Sequence, residues 1–131
     1  MRRQFDLPSH DLSHLEGTGL QWETLIDGTT KWLLVHEWPV CAGYNVTSAM
    51  LAIRISPGYP EAELDMAYFA PSLARSDGGS VNALGAIVVD GKSFQQWSRH
   101  RTGQNPWRPG EDDLSTHLAL VEGWLEKEFR R

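Results

Sequence analysis

With 131 residues, the chain (residues 1–131) is long enough for one domain that buries roughly two-thirds of its unfolded surface. Its one cysteine excludes a disulfide framework and a multi-cysteine zinc site, and no run reaches the ~18 apolar residues of a membrane-spanning helix. The net charge of -5 argues against general nucleic-acid binding, and the lack of an apolar stretch behind the first cations predicts no signal peptide, hence a cytoplasmic protein.

The first half of the chain predicts a short helix followed by three strands. Residues 8–17 are predicted to be helical, with Ser9 as the N-cap and Gly17 as the stop. Residues 19–40 are predicted as two strands joined at DGTT, a sequence typical of a hairpin turn. Residues 45–56 alternate along their length and predict a third strand.

Two further apolar runs, 64–71 and 83–91, predict strands separated by a polar loop at 72–82. Residues 90–110 show no regular period and are predicted to form one long loop. A non-repetitive segment of that length in a compact domain is usually functional or disordered, and two tryptophans argue against disorder.

The C-terminal residues predict an amphipathic helix. Acidic residues fall in its expected first turn and basic residues in its last, which suits the helix dipole. The apolar residues at helical spacing are Leu114, Leu118, Val121, Trp124, Leu125 and Phe129, the acidic ones Glu111, Asp112 and Asp113, and the basic ones Lys127, Arg130 and Arg131. Such a helix on a mostly antiparallel sheet makes the predicted fold class α+β.

Positive charge is concentrated in residues 91–110, which contain Lys92, Arg99, Arg101 and Arg108 and no carboxylate. This distribution predicts a local site for a carboxylate, a phosphate or an acidic surface of a protein partner. No glycine-rich phosphate loop with a following lysine is present, so nucleotide binding is not expected.

The order of these elements, with several short motifs, resembles the ubiquitin-conjugating (UBC-like) fold. The landmarks are PGYP at 57–60, Pro71 at the end of the fourth strand, and WRPG at 107–110 before the last helix. Together with QQWSRHR at 95–101 and GEDDL at 110–114, they resemble the prokaryotic family E of these proteins over essentially the whole chain. The resemblance implies an antiparallel β-meander flanked by a short N-terminal helix and a longer C-terminal helix.

That resemblance also implies a bacterial pathway with three partners: a ubiquitin-like protein, an activating adenylyltransferase and a JAB-type metallopeptidase. The chain would accept the C-terminal acyl group of the ubiquitin-like protein and pass it to an amine on a target. ATP chemistry would belong to the activating enzyme, so no cofactor is expected. No metal is expected either, because His10 and His14 share a helix face without a third ligand. Nucleic-acid and membrane partners are not expected.

The sequence departs from typical conjugating enzymes at the nucleophile. It has no His-Pro-Asn, and Ser98 and Arg99 stand where a cysteine is usual, about eight residues before Trp107. The resemblance therefore makes Ser98 the candidate acyl carrier, through an oxyester. A hydroxyl needs a base, and His100 would share one side of an extended loop with Ser98. Arg99 and Arg101 would stabilise the oxyanion.

Other assignments remain open. Ser93 is an alternative nucleophile, because it follows the DGK turn where other conjugating enzymes place their active-site segment. Cys41 is the only thiol, but it lies in a predicted turn outside the long loop, and Asn82 is an alternative oxyanion donor. The function also has alternatives: a non-catalytic module that binds the ubiquitin-like protein or the activating enzyme through the basic loop, or a small serine hydrolase.

Overall fold

A computed structural model describes residues 1–130 of the chain, which contain six strands and two helices. Arg131, predicted for the last turn of the final helix, lies outside the described residues. In chain order the elements are α1 (Ser9–Thr18), β1 (Trp22–Asp27), β2 (Thr30–Pro39), β3 (Ser48–Ile55), β4 (Ala67–Ala70), β5 (Leu84–Val89), β6 (Lys92–Trp97) and α2 (Leu114–Lys127). The strands form one antiparallel sheet in the order β1-β2-β3-β4-β6-β5, so the predicted α+β class is confirmed.

Both helices pack on one face of this sheet. The cluster between them contains Leu15 of α1, Leu118 and Val121 of α2, and Leu51 and Ile53 of β3, all of them buried. Alternate residues of a strand face the same side, which is why Leu51 and Ile53 both enter this core. The spacing of apolar residues along β3 and α2 therefore determines which of their side chains enter the core.

The other face carries no helix, yet it also buries an apolar cluster that includes Trp32 and Phe94. The reason is that the sheet curls until the turn between β5 and β6 reaches the end of β1. Arg2, beside β1, donates to both carboxylate oxygens of Asp90 in the β5–β6 turn, at 3.1 and 2.7 Å. The Asp90 N–H donates to the carboxylate of Asp27 at the end of β1, at 2.9 Å. Twisted sheets curl in this way, and the β5–β6 hairpin thereby covers residues that a flat sheet would expose.

Helix α1 differs from its prediction at both ends. Ser9 is its first residue, and the cap position belongs to Pro8, whose side chain makes no capping hydrogen bond. The helix continues past Gly17 and ends at Gly19, which has φ 73°. Glycine adopts that left-handed conformation without steric penalty, so the conformation at Gly19, and not the first glycine of the segment, sets the end.

The prediction of a single loop over residues 90–110 is wrong, because this segment contains β6. The strand pairs with β5 on one side and β4 on the other. Its adjacent glutamines interrupt the apolar pattern, but the Gln95 amide is satisfied in place: it accepts from the Leu73 N–H and from Trp97 Nε1, and donates to the Leu73 carbonyl. The loop itself therefore occupies only residues 98–113.

Helix α2 forms where the sequence predicts it, although the acidic residues expected in its first turn precede it. Asp113 is the N-cap and accepts from the Thr116 N–H, while the Thr116 hydroxyl accepts from the Asp113 N–H, a capping box. Asp11 of α1, which is buried, accepts from the Leu114 N–H at 3.4 Å and from the Tyr59 hydroxyl. These contacts join α1, the turn at 57–60 and the start of α2.

Candidate functional site

Ser98 is the first residue after β6, and the sheet fixes its backbone. Its N–H donates to the Ala83 carbonyl at 3.0 Å, which extends the β5–β6 ladder by one residue. Its hydroxyl is half-buried and accepts a hydrogen bond from Gln96 Nε2 at 3.1 Å. The hydroxyl oxygen therefore turns back along β6, and its own O–H remains available to donate.

His100 is oriented by Asp65, a residue that sequence analysis did not select. Its Nδ1 atom lies 3.0 and 2.8 Å from the two carboxylate oxygens. The contact assigns the proton to Nδ1, and Nε2 has no protein partner among residues 1–130. The Met66 N–H donates to the Arg99 carbonyl at 3.1 Å and so brings the start of β4 to this loop. An imidazole held by a carboxylate in this way is suited to act as a base through Nε2.

Ser98 and His100 do not meet in this arrangement. No hydrogen bond joins their side chains in the described part of the chain. The Arg99 N–H donates to the Trp97 carbonyl at 3.0 Å, a three-residue turn centred on Ser98. This turn replaces the extended geometry that sequence analysis assumed for the two residues, so the hydroxyl and the imidazole are separate groups in the free protein.

Arg99 links the loop to the end of α2. Its side chain is only 16% exposed, and Nη2 lies 3.2 Å from Oε2 of Glu128, which is 5% exposed. Its Nη1 donates to the carbonyls of Asn82 at 3.0 Å and Ser98 at 3.3 Å, and the guanidinium lies over the Trp97 ring. Arg99 thus holds three segments of chain together around Ser98.

Arg101 is more deeply buried, with 7% of its side chain exposed. Its Nη1 lies 3.6 Å from Oδ2 of Asp112, and the guanidinium lies 5.1 Å over the Trp107 ring. Its Nε and Nη2 atoms have no hydrogen-bond partner within the described residues. Buried donors without partners cost free energy, so this cation is held by its surroundings at some expense of stability.

Two cavities adjoin the loop, and both lie against α2. His100 lines both of them, whereas Ser98 lines neither. The larger, of about 610 Å³, is lined by His100, Arg101, Thr102, Asn105, Ala119, Leu120, Gly123, Trp124, Lys127 and Arg130. The smaller, of about 260 Å³, is lined by Asn82, Arg99, His100, Trp124, Lys127 and Glu128. The cationic residues of this lining make the region suited to an anionic group or to the transition state of acyl transfer.

The alternative nucleophiles lie elsewhere. Ser93 is exposed near the β5–β6 turn, opposite Val88, and the rise of a strand places it roughly 17 Å from Ser98. Cys41 is half-buried. Burial raises the pKa of the Cys41 thiol, and the nearby Glu126 carboxylate raises it further. A raised pKa makes a thiol less nucleophilic at neutral pH.

Two of the other histidines are paired with distant parts of the chain. His10 pairs with Asp113 at 2.9 Å, and His117 is buried with Nε2 2.8 Å from the Met66 carbonyl. Among residues 1–130, no three His, Cys, Asp or Glu side chains are grouped so as to hold a metal ion. Neither described helix has the length and apolar character needed to cross a membrane.

An antiparallel six-stranded sheet between a short first helix and a longer last one, with a loop before that last helix, is consistent with an E2-like fold, the class of ubiquitin-conjugating proteins. The first four strands form the predicted meander, whereas β6 lies between β4 and β5. The sequence profile of Prokaryotic E2 family E matches residues 7–128, and the chain belongs to this family. No curated protein and no solved structure shows a significant match to the chain. Family membership supports a transferase role in ubiquitin-like conjugation and implies a ubiquitin-like protein and an activating enzyme as partners.

Proposed function

We propose that this chain is the acyl carrier of a bacterial ubiquitin-like conjugation pathway, with the acyl group held on Ser98 as an oxyester. The main support is the His100–Asp65 pair, which presents a free imidazole nitrogen beside two cavities and follows a strand-anchored serine by two residues. Family membership supplies the conjugation role, and the residues supply the chemistry.

In the loading step, the Ser98 oxygen attacks the carbonyl carbon of the activated C-terminal acyl group. A C–O bond forms, the bond to the activating enzyme breaks, and the hydroxyl proton passes to the leaving group. Because the Ser98 oxygen faces Gln96 and not His100 in the free protein, this step is assigned no base from this chain.

In the transfer step, an amine of the target attacks the oxyester. His100 Nε2 takes a proton from that amine and a C–N bond forms. The C–O bond to Ser98 breaks, the Ser98 oxygen takes a proton from water, and His100 returns its proton to the solvent. Oxyesters react with amines more slowly than thioesters do, so a positioned base matters more here than in a cysteine enzyme. Arg99 and Arg101 hold the loop and add positive potential near the developing oxyanion.

The proposed partners are the ubiquitin-like protein, an activating adenylyltransferase, and a JAB-type metallopeptidase that would cleave the conjugates. We place these reactions in the cytoplasm. ATP is consumed by the activating enzyme, and this chain uses no cofactor of its own.

One observation favours a second function. Ser98 lines neither cavity and makes no hydrogen bond to His100. A non-catalytic module would need only the cationic lining of those cavities, which would then bind the ubiquitin-like protein or the activating enzyme without a covalent intermediate.

The intact mass of the protein distinguishes these functions. The chain is mixed with ATP and with the activating enzyme and ubiquitin-like protein of its pathway, with and without thiol reductant. Ser98→Ala, Ser93→Ala and Cys41→Ser are run in parallel with the unmodified chain. We expect an adduct that survives reductant, is cleaved by hydroxylamine or alkali, and is lost only in Ser98→Ala.

Other results contradict this proposal. Loss only in Ser93→Ala moves the carrier to the opposite end of β6. A reductant-sensitive adduct that is lost in Cys41→Ser would show that the acyl group is carried on Cys41 as a thioester. Tight binding of the ubiquitin-like protein or the activating enzyme with no adduct in any variant supports the non-catalytic module.

A further inference from the structure

Strand β5 is an uncovered edge of the sheet. Leu84 is 40% exposed and Val88 is 66% exposed, although both side chains are large and apolar. The strand contains no proline and no charged residue, and its register with β6 is regular from end to end. Natural proteins usually protect such an edge with charges, proline, a bulge or a covering segment. β5 has none of the first three, and its exposure shows that nothing in the described chain covers it.

The opposite edge, β1, is covered by the chain itself. The Gln4 N–H donates to the Thr24 carbonyl at 3.0 Å, and the Thr24 N–H donates to the Arg2 carbonyl at 3.1 Å. The Gln4 side chain accepts from the Ile26 N–H at 2.7 Å. One edge of the sheet is therefore closed by the N-terminal segment, and the other remains open.

The backbone of β5 has free hydrogen-bonding groups at the same residues that expose side chains. The Ser98 N–H donates to the Ala83 carbonyl, and in an antiparallel ladder every second residue makes such bonds. Because Ala83 bonds to Ser98, the residue after β6, the residues that bond to β6 are every second one from Ala83. The N–H and C=O groups of the residues between them, Leu84, Ala86 and Val88, therefore point away from β6. No other hydrogen bond occupies them within residues 1–130.

We propose that β5 binds an extended peptide by strand addition, and that the peptide is the C-terminal segment of the ubiquitin-like protein. This inference rests on the proposed function. The direction of the strand supports this peptide, because a strand added antiparallel to β5 ends at Leu84, the end of the sheet at which Ser98 lies. The added strand would lie roughly 10 Å from the line of β6, a gap that two or three extended residues span.

Charge at that end suits a chain terminus. Arg99, His100 and Lys127 line the smaller cavity beside it, and the carboxylate in this lining, Glu128, is paired with Arg99. A C-terminal carboxylate, or the oxyanion formed from its acyl group, would be attracted to this cationic region. The other end of β5, at Asp90, carries a carboxylate that is already paired with Arg2.

A second copy of this chain fits the edge less well. A β5–β5 pair would bury one six-residue strand from each copy, whereas a stable interface needs about 800 Å² from each partner. A peptide tail that must bind, react and leave needs no such area, and main-chain hydrogen bonds supply its affinity.

Amide NMR tests the inference. The ¹⁵N-labelled chain is titrated with a synthetic peptide of about ten residues from the C-terminus of the pathway's ubiquitin-like protein, long enough to cover a strand of this kind. We expect chemical-shift changes and slower hydrogen exchange at Leu84, Ala86 and Val88. A control peptide N-methylated at alternate residues keeps its side chains but loses the donors that pair with β5, and we expect it not to bind there.

Ala86→Pro provides the matched variant. Proline at this position removes an outward N–H without removing a β5–β6 hydrogen bond, and we expect the peptide to bind at least about tenfold more weakly. Val88→Thr leaves the backbone free and keeps the β-branched shape, so we expect it to bind like the unmodified chain. Equal binding by Ala86→Pro, or shifts confined to the α2 cavities, would overturn the inference. A dimer that Ala86→Pro dissociates would do the same.

The two proposals fail separately. If the oxyester is lost in Ser98→Ala but forms at full rate in Ala86→Pro, strand addition is wrong, and the assignment of Ser98 as the acyl carrier is kept. If the peptide slows hydrogen exchange in β5 but the unmodified chain forms no adduct, strand addition is supported, and the assignment of Ser98 as the acyl carrier is wrong.

Discussion

Nδ1 of His100 lies 2.8 Å from Oδ2 of Asp65, a residue 35 positions earlier in the chain. Asp65 precedes Met66, whose N–H binds the Arg99 carbonyl, so the imidazole is aimed by the segment that leads into β4 and not by its own loop. The catalytic proposal depends on this contact, because it leaves Nε2 free beside both cavities.

Asp65 is therefore a positioning residue whose loss should affect transfer and spare loading. We expect His100→Gln to slow the reaction of the preformed oxyester with free lysine by roughly a hundredfold, and Asp65→Asn to slow it less. Asp65→Glu should restore part of the rate. Single-turnover assays that separate adduct formation from adduct decay measure both steps. If loading and transfer fall together in Asp65→Asn, the contact is structural and does not position a base.

Arg101 offers a test that separates stability from activity. Removing one partner of a buried ion pair is usually costly. Here the remaining carboxylate, Asp112, lies 3.6 Å away, is 15% exposed and also accepts from the Arg108 N–H, while two donors of Arg101 have no partner within residues 1–130. We expect Arg101→Met to melt at the same temperature as the unmodified chain or higher, and to lose transfer activity if positive potential assists the reaction. Arg101→Lys is the control, since it keeps the charge but loses the planar contact with Trp107. A large drop in melting temperature in Arg101→Met would show that the Asp112 pair stabilises the fold.

The Arg99–Glu128 pair should behave in the opposite way. Both side chains are largely buried, and Arg99 also binds the carbonyls of Asn82 and Ser98. We expect Arg99→Ala to lower the free energy of unfolding by about 3 kcal/mol, because a buried carboxylate loses its cation. Adding Glu128→Gln should recover part of that loss in urea denaturation. Strictly additive effects of the two substitutions would mean that the pair is not coupled.

Asp11 should make stability depend on pH. Burial raises the pKa of its carboxyl group above the ordinary 3.8, and hydrogen bonds from Tyr59 and the Leu114 N–H only partly offset this. The folded state therefore holds the proton more tightly than the unfolded chain does. The resulting stabilisation is present at acid pH, below the ordinary value, and is lost as pH rises through the raised one.

Asp11→Asn removes this titration while an amide can still accept from Leu114 and donate to the Tyr59 oxygen. We expect the melting temperature to rise by roughly a few degrees at neutral pH and to change little near pH 3. Asp11→Leu is the control; it leaves both partners unsatisfied and should be less stable throughout. A melting difference between Asp11→Asn and the unmodified chain that stays constant with pH would contradict the assignment.

Local periodicity was enough to predict much of the fold. The apolar spacing of α2 and the alternation of β3 are properties of consecutive residues, and both elements form where they were predicted. The β1–β2 turn is likewise local, and DGTT specifies it. The family could also be predicted from the sequence, because its short motifs consist of consecutive residues at turns and strand ends.

Features that depend on distant partners were not predicted. β6 contains a polar Gln95 whose amide is paired by the donor and the acceptor of Leu73, in the segment that follows β4. Asp65 reaches His100 through sheet register, which no local pattern encodes. The turn at Ser98 likewise separates two residues that an extended loop would have brought to the same side.

Arg2 has a mechanical consequence for the hairpin that ends at Ser98. It binds Glu23 of β1 and Asp90 of the β5–β6 turn, so the tip of the hairpin is supported as well as its paired side along β4. The Arg2–Asp90 pair is partly exposed, and dissolved ions screen such contacts. Concentrated salt should therefore weaken the Arg2–Asp90 contact first, and the tip of the hairpin would then depend on the Asp90 N–H bond to Asp27 and on the pairing of β6 with β4.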